Sequence, residues 1–146
     1  MTVSDVVPAG FEPLFRTSPF MEAIGPVYCR RDGHGLALGL RIAEKHANAR
    51  GLAHGGVLLT LCDVALGYSA AYSQEPPLSL TTAQISADFA GSARIGDWVE
   101  SSADIQRIGG RLAFVNVYLA VGSTRIVRAS GVYVRGDGDA RGGSAT

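Results

Sequence analysis

The sequence predicts an α+β domain in which an antiparallel sheet curves around one long central helix. Three observations carry this expectation. Two strand-like runs precede a single long apolar segment, four strand-like runs follow it, and glycine-bearing turns join the last three as a meander. A lone helix beside an antiparallel sheet buries its apolar surface against that sheet. A sheet of this kind covers such a helix incompletely, leaving a side that a second copy of the chain can cover.

The elements follow in order. Residues 1–10 read as a loose N-terminal tail, and Phe11 to Ala23 carries two prolines and one short helix at about Pro19 to Ala23. A strand at Gly25 to Arg31 is closed by the turn signal Asp32-Gly33. The next run alternates, with Leu36, Leu38, Leu40 and Ile42 on one face and Ala37, Gly39 and Arg41 on the other, so the two runs form a hairpin. Glu44 to Arg50 is polar and irregular. Gly51 to Gly56 then lead into a helix from about Gly55 to Ala71, stopped by Ser73-Gln74-Glu75-Pro76-Pro77. Strands are expected at about Thr81 to Gly91, Trp98 to Gln106, Leu112 to Val121 and Arg125 to Arg135, with turns at Gly109-Gly110 and Gly122-Ser123. The Gly-rich polar stretch 136–146 reads as a disordered C-terminal tail, which leaves one domain over 11–135.

Composition narrows the function classes. With 146 residues, 47% hydrophobic and 18% charged, the chain can bury a core without disulfides or metal. Lys plus Arg and Asp plus Glu number 13 each, so no general attraction to nucleic acid or a membrane surface is expected. Cys62 lies in an apolar run as a small buried hydrophobe, and neither it nor Cys29 has metal-ligand spacing. Residues 1–10 lack the basic and apolar regions of a secretion signal. The run Val57 to Tyr72 is too short for a membrane span and contains Asp63. A reduced, cytoplasmic setting is the expectation.

The helix carries the candidate chemistry. Leu58, Leu59, Leu61, Cys62, Val64, Ala65 and Leu66 occupy nearly every angular position, as in a central helix. Against them Gly56, Thr60, Asp63 and Gly67 form one stripe of small and polar residues, where a ligand or another backbone can approach closely. A carboxylate there is costly unless it is hydrogen-bonded or opens to a cleft. It reads either as a satisfied structural group or as a reacting one. At the helix start, His54-Gly55-Gly56 leaves unpaired N–H groups at the positive end of the helix dipole, a place for developing negative charge. The plain alternative is a glycine-rich loop.

Spacing constrains how the two features combine. Gly55 and Asp63 are eight residues apart, roughly 12 Å along one helix. Groups acting on one carbonyl must lie within about 3 Å of the reacting atoms. The pair therefore serves one site only if two such helices run antiparallel across a twofold axis, which makes a catalytic reading a homodimer with shared sites.

These residues resemble a known family. Asn48-x-x-Gly51-x-x-His54-Gly55-Gly56, with Asp63 nine residues after the histidine, is similar to the signature of hotdog-fold acyl-CoA thioesterases of the phenylacetic-acid-degradation type. The order of elements matches, as does the block Thr82 to Asp97, with Phe89, Ala93-Arg94 and Gly96-Asp97 placed as in that family. The likeness runs from about Ile24 to Val134. It departs at Gly91-Ser92, where relatives often carry Arg-Pro, and at Gln84, where Asp is common. Both departures bear on acyl-group preference.

The resemblance implies hydrolysis of an acyl-CoA, aryl or medium-chain, to free acid and CoA, with no cofactor beyond the CoA of the substrate. Gly55 would donate its N–H to the thioester oxygen, with Gly56 beside it, and Asn48 would orient or polarise the thioester. Asp63 would act as nucleophile or general base, and Thr82 would position water. His54 would take part in the reaction or hold the loop through a backbone hydrogen bond. Each half-site would take Asn48 and Gly55 from one chain and Asp63 and Thr82 from its partner, with dimers pairing further into tetramers. Arg94, Arg107 and Arg111 are candidates to meet the CoA phosphates, or are simply solvated. Tyr68 and Phe89, with Tyr72, line an acyl pocket or serve ordinary packing. The chief alternative is a non-catalytic acyl-CoA-binding hotdog protein. A dehydratase would need a His–acid arrangement that His34 and His46 do not offer, and a dimeric scaffold leaves the stripe through Asp63 unexplained.

Overall fold

The computed structural model describes residues 6–32 and 35–136. Residues 1–5 and 137–146 of the expected tails, and the turn position Gly33 with His34 beside it, lie outside the described residues. The elements are β1 (Glu12–Pro13), α1 (Pro19–Ile24), β2 (Tyr28–Asp32), β3 (Gly35–Arg41), α2 (Gly55–Ala71), β4 (Leu80–Phe89), β5 (Trp98–Ile108), β6 (Leu112–Val121) and β7 (Thr124–Arg135). The strands form one antiparallel sheet in the order β1-β2-β3-β5-β6-β7-β4, with α2 packed against β3 through β7. This is the expected hotdog architecture, and β5, β6 and β7 are the expected meander.

The core lies between helix and sheet. Leu38, Leu40, Val99, Val115, Val117, Leu119 and Val127 meet Leu61, Leu66 and Ala65 of α2, all essentially inaccessible. Each such Val or Leu side chain contributes about 1.5–3 kcal/mol by leaving water. Along β3 the burial does not alternate as expected, because Ala37 is buried as well. The far side of this strand is covered too. The Trp98 ring lies so close over Gly39 that a Cβ there would come within 2.1 Å of it, and Phe11 packs edge-on against Trp98. The two-residue β1 escaped prediction because it is so short and contains Pro13, a residue tolerated on a sheet edge. The segment 44–50, expected to be irregular, contains one 3₁₀ turn, Glu44–His46.

Two features position the site. From Val64 to Ala71, α2 is buried all round, as an apolar helix should be. Its first turns are not: Gly55, Gly56 and Leu59 are exposed, and Thr60 and Asp63 half-buried, so the small-and-polar stripe opens outward until Gly67 closes it. The second feature is β4, an edge strand of ten residues that pairs only with β7 and is largely exposed. Among the described residues no helix is long and apolar enough to cross a membrane.

Candidate active site

The loop before α2 is a closed, braced turn. Gly51 takes φ +78°, a left-handed conformation that a residue with a side chain rarely adopts, and its N–H reaches the Asn48 carbonyl at 3.0 Å. The Asn48 N–H donates to the Leu52 carbonyl at 2.7 Å. The Asn48 side chain faces the same turn: Oδ1 accepts from the N–H groups of Arg50 (2.9 Å) and Leu52 (3.2 Å). Among the described residues its Nδ2 has no acceptor. Outside support comes from 93–97. Ala53 N–H donates to the Ala93 carbonyl at 2.8 Å, Leu52 bridges Arg94, and Asp97 Oδ2 accepts the Arg94 N–H at 2.8 Å. Ala93-Arg94 and Gly96-Asp97 are thus a buttress for the loop that carries Asn48 and Gly55. On its other side, His54 N–H donates to the His46 carbonyl at 2.8 Å. The buried His46 ring is fixed in turn, with Nδ1 accepting from Ala43 N–H and Nε2 donating to the Ile24 carbonyl.

His54 caps the helix. Its backbone is extended (φ −63°, ψ 138°), and Nδ1 lies 3.5 Å from the Gly56 N–H it accepts. The Gly55 N–H has no acceptor among the described residues. The Phe89 ring stands beside it: a Cβ added at Gly55 would lie 3.7 Å from Phe89 Cε1. Gly55, Asn48, His54, Phe89 and the Arg94 backbone therefore gather at one end of α2.

Asp63 sits two turns further along, with its own partners. Thr82 Oγ1 donates to Asp63 Oδ1 at 2.9 Å. The Tyr133 hydroxyl donates to the same oxygen at 3.0 Å and lies 3.1 Å from the Asp63 main-chain carbonyl. Hydrogen bonds to a charged acceptor are worth about 1.5–3 kcal/mol each, enough to make a half-buried carboxylate tolerable in an apolar helix. Asp63 Oδ2 has no protein partner among the described residues. Burial and the neighbouring Asp63 charge push the Tyr133 hydroxyl well above the usual tyrosine range, so it stays protonated and donates. Burial, with Asp63 adding to it, pushes the Cys62 thiol up to about 12, leaving it neutral. Among the described residues no three of His, Cys, Asp and Glu gather as metal ligands.

Tyr133 is the residue of this candidate site that sequence reasoning missed. It reads as one more apolar position in an alternating strand, and its ring is fully buried. One signal was present: Gly131, two residues earlier on the same face, leaves room for the ring, since a Cβ there would come within 2.7 Å of Tyr133 Cε2. A β-bulge between Thr82 and Gln84 shifts the β4 register beside Thr82.

The remaining predicted residues lie apart from Asp63. Tyr68 is buried and packs with Tyr72 and Phe15, ring centroids 5.7 and 5.8 Å away, so it serves an aromatic cluster five residues round the helix from Asp63. Arg107 and Arg111 are exposed near the β5–β6 turn, away from the helix start where Arg94 stands.

Comparison with known proteins agrees with this architecture. The sequence profile of the thioesterase superfamily matches residues 50–127. A candidate esterase of Pseudomonas aeruginosa, PA0474, is 48% identical over 128 residues, 87% of this chain and 96% of that one. Among solved structures, the conserved protein PA5202 of the same species superposes with TM-score 0.75 at 21% identity, covering 82% of this chain and 94% of that one. The PaaI protein of the E. coli phenylacetic acid degradation operon gives 0.74 at 18% identity, covering 83% and 86%. A hypothetical thioesterase of Streptococcus pneumoniae, solved with coenzyme A, gives 0.69 at 19% identity, covering 75% and 85%. The profile match over more than half the chain and the near-full-length relative establish that this chain belongs to the thioesterase superfamily.

Proposed function

We propose that the chain is an acyl-CoA thioesterase of the phenylacetic-acid-degradation type, hydrolysing an aryl or medium-chain acyl-CoA to free acid and CoA. The observation that carries this reading is Asp63, a carboxylate in an apolar helix, held at one oxygen by Thr82 and Tyr133 and open at the other. The Gly55 N–H at the start of the same helix, without an acceptor among the described residues, supports it. A thioester carbonyl gains oxyanion character on attack, and a preorganised N–H at such a position is worth about 3 kcal/mol. The thiolate leaves without acid help, so one carboxylate suffices. Asp63 Oδ2 attacks the carbonyl carbon or takes a proton from the attacking water, and Asn48 Nδ2 steadies the thioester. Phe89 lines the acyl side. Arg94, beside the helix start, meets the CoA phosphates; Arg107 and Arg111, exposed near the β5–β6 turn and away from that helix start, are left out of this role. CoA arrives as part of the substrate, consistent with the coenzyme A held by the fold neighbour from S. pneumoniae.

With Gly55 and Asp63 both acting, their separation along one helix requires a homodimer with shared sites. The long unpaired edge of β4 offers the surface for such pairing, and dimers associate further into tetramers. We place the enzyme in the cytoplasm.

Thiol release from aryl, short, medium and long acyl-CoAs tests the reading. Turnover is expected on at least one class, and Asp63→Ala is expected to lower kcat roughly 10²–10⁴-fold with the fold intact. Turnover unchanged in that variant would remove Asp63 from the reaction. Binding without turnover across the panel would point to an acyl-CoA-binding protein instead. Single turnover in ¹⁸O water bears on the two roles of Asp63: label in the Asp63 carboxyl marks a nucleophile, while label in the product acid alone fits a base or an anhydride opened by water at the substrate acyl carbon.

A further inference from the structure

We propose that Tyr133 is the positioning residue for Asp63, claiming Oδ1 together with Thr82 so that Oδ2 is the single oxygen free to act. The inference rests on the hydrolytic reading above and adds to it which oxygen works and what selects it. An aspartate turns easily about its last torsion, which has broad, roughly twofold minima, so the two oxygens of an unrestrained carboxylate exchange places. Here two hydroxyls converge on the same oxygen, at 2.9 Å from Thr82 and 3.0 Å from Tyr133. The Tyr133 hydroxyl also lies 3.1 Å from the main-chain carbonyl of Asp63, a second acceptor for its one proton on the same residue.

The donor itself cannot follow a moving carboxylate. Its ring is fully buried, lies back over Gly131, and has Leu66 as a neighbour at that point, where an added Cβ would come 3.1 Å from Leu66 Cδ1. Thr82 is fixed on β4 next to the bulge. Two strands, β7 and β4, thus hold one oxygen of a helix residue, and the other has no partner among the described residues. The burial that keeps the Tyr133 hydroxyl protonated keeps it a donor across the working pH range.

The test is Tyr133→Phe, which keeps the ring and removes only the hydroxyl. We expect kcat to fall ten- to a hundredfold with KM nearly unchanged. The acidic limb of the kcat profile should move to higher pH, because a carboxylate that loses a donor holds its proton more readily. Thr82→Val should move that limb in the same direction, and it stands in if Tyr133→Phe folds poorly by circular dichroism. Carboxyl ¹³C titration of Asp63 by NMR reads the same change without turnover, again upward in both variants. If Tyr133→Phe and Thr82→Val keep the wild-type kcat, pH profile and ¹³C midpoint while Asp63→Ala is inactive, the positioning role is wrong and hydrolysis stands. If the wild type turns over no acyl-CoA, hydrolysis fails, and the ¹³C midpoints alone support or overturn the positioning role.

Discussion

At the scale of single residues, Gly55 gives the cleanest separation of backbone chemistry from structure. It is the first residue of α2, where a proline is well tolerated because that N–H has no helical partner. The preceding His54 is already extended, as a residue before proline prefers, and the space at Gly55 meets only the Phe89 ring at ordinary contact distance. Gly55→Pro is therefore expected to leave the melting temperature nearly unchanged while lowering kcat about 10²–10³-fold, by removing the one donor the oxyanion would use. Thermal melts beside steady-state rates check this, and a rate close to wild type would exclude the Gly55 N–H. Gly55 and Asp63 stood out as candidates in the helix pattern itself, while Asn48 and a role for His54 came only through the resemblance to a family signature. Tyr133 did not stand out, because it reaches Asp63 from seventy residues away and looks, in its own strand, like any buried aromatic.

At the scale of elements, hydrophobic period and turn residues located α2 and the four strands after it, although β4 buries little of its own surface. Burial on the far side of β3 was hidden, because the covering residues, Phe11 and Trp98, come from distant parts of the chain. The packing of α2 on β7 yields its own prediction. Gly131 sits where Tyr133 and Leu66 leave no room for a methyl group, at 2.7 and 3.1 Å. Gly131→Ala should displace the Tyr133 ring, costing about 1–3 kcal/mol of stability and lowering the melting temperature by roughly 3–10 °C. Because the displaced ring carries the donor to Asp63, kcat should fall as well. A variant that is destabilised yet fully active would show that the ring can move without consequence for the carboxylate.

At the scale of the whole molecule, the proposed division of the site between two chains has a quantitative signature. Gly55→Pro and Asp63→Ala chains are each expected to be inactive alone. Refolded together in equal amounts they form mixed dimers, in which one composite site has both defects and the other has neither. Half the dimers are mixed and half the sites within them intact, so about a quarter of the wild-type activity should return. No recovery on mixing, with dimers confirmed by light scattering, would return the whole site to a single chain.

The edge strand β4 carries a last implication, for insertions and deletions. Sheet edges ordinarily absorb changes in length well, yet this one is pinned at two points: Thr82 is bonded to Asp63, and Phe89 stands beside Gly55. The seven residue steps from Thr82 to Phe89 span about 23 Å, a covalent ruler laid alongside the helix. It already holds one irregularity, the bulge at 82–84. Adding or removing one more residue would flip every following side chain to the opposite face, turning Phe89 away from the helix start while leaving each proposed reacting group in place. Length along this exposed margin, usually the freest quantity in a sheet, is here held as tightly as any residue in the core.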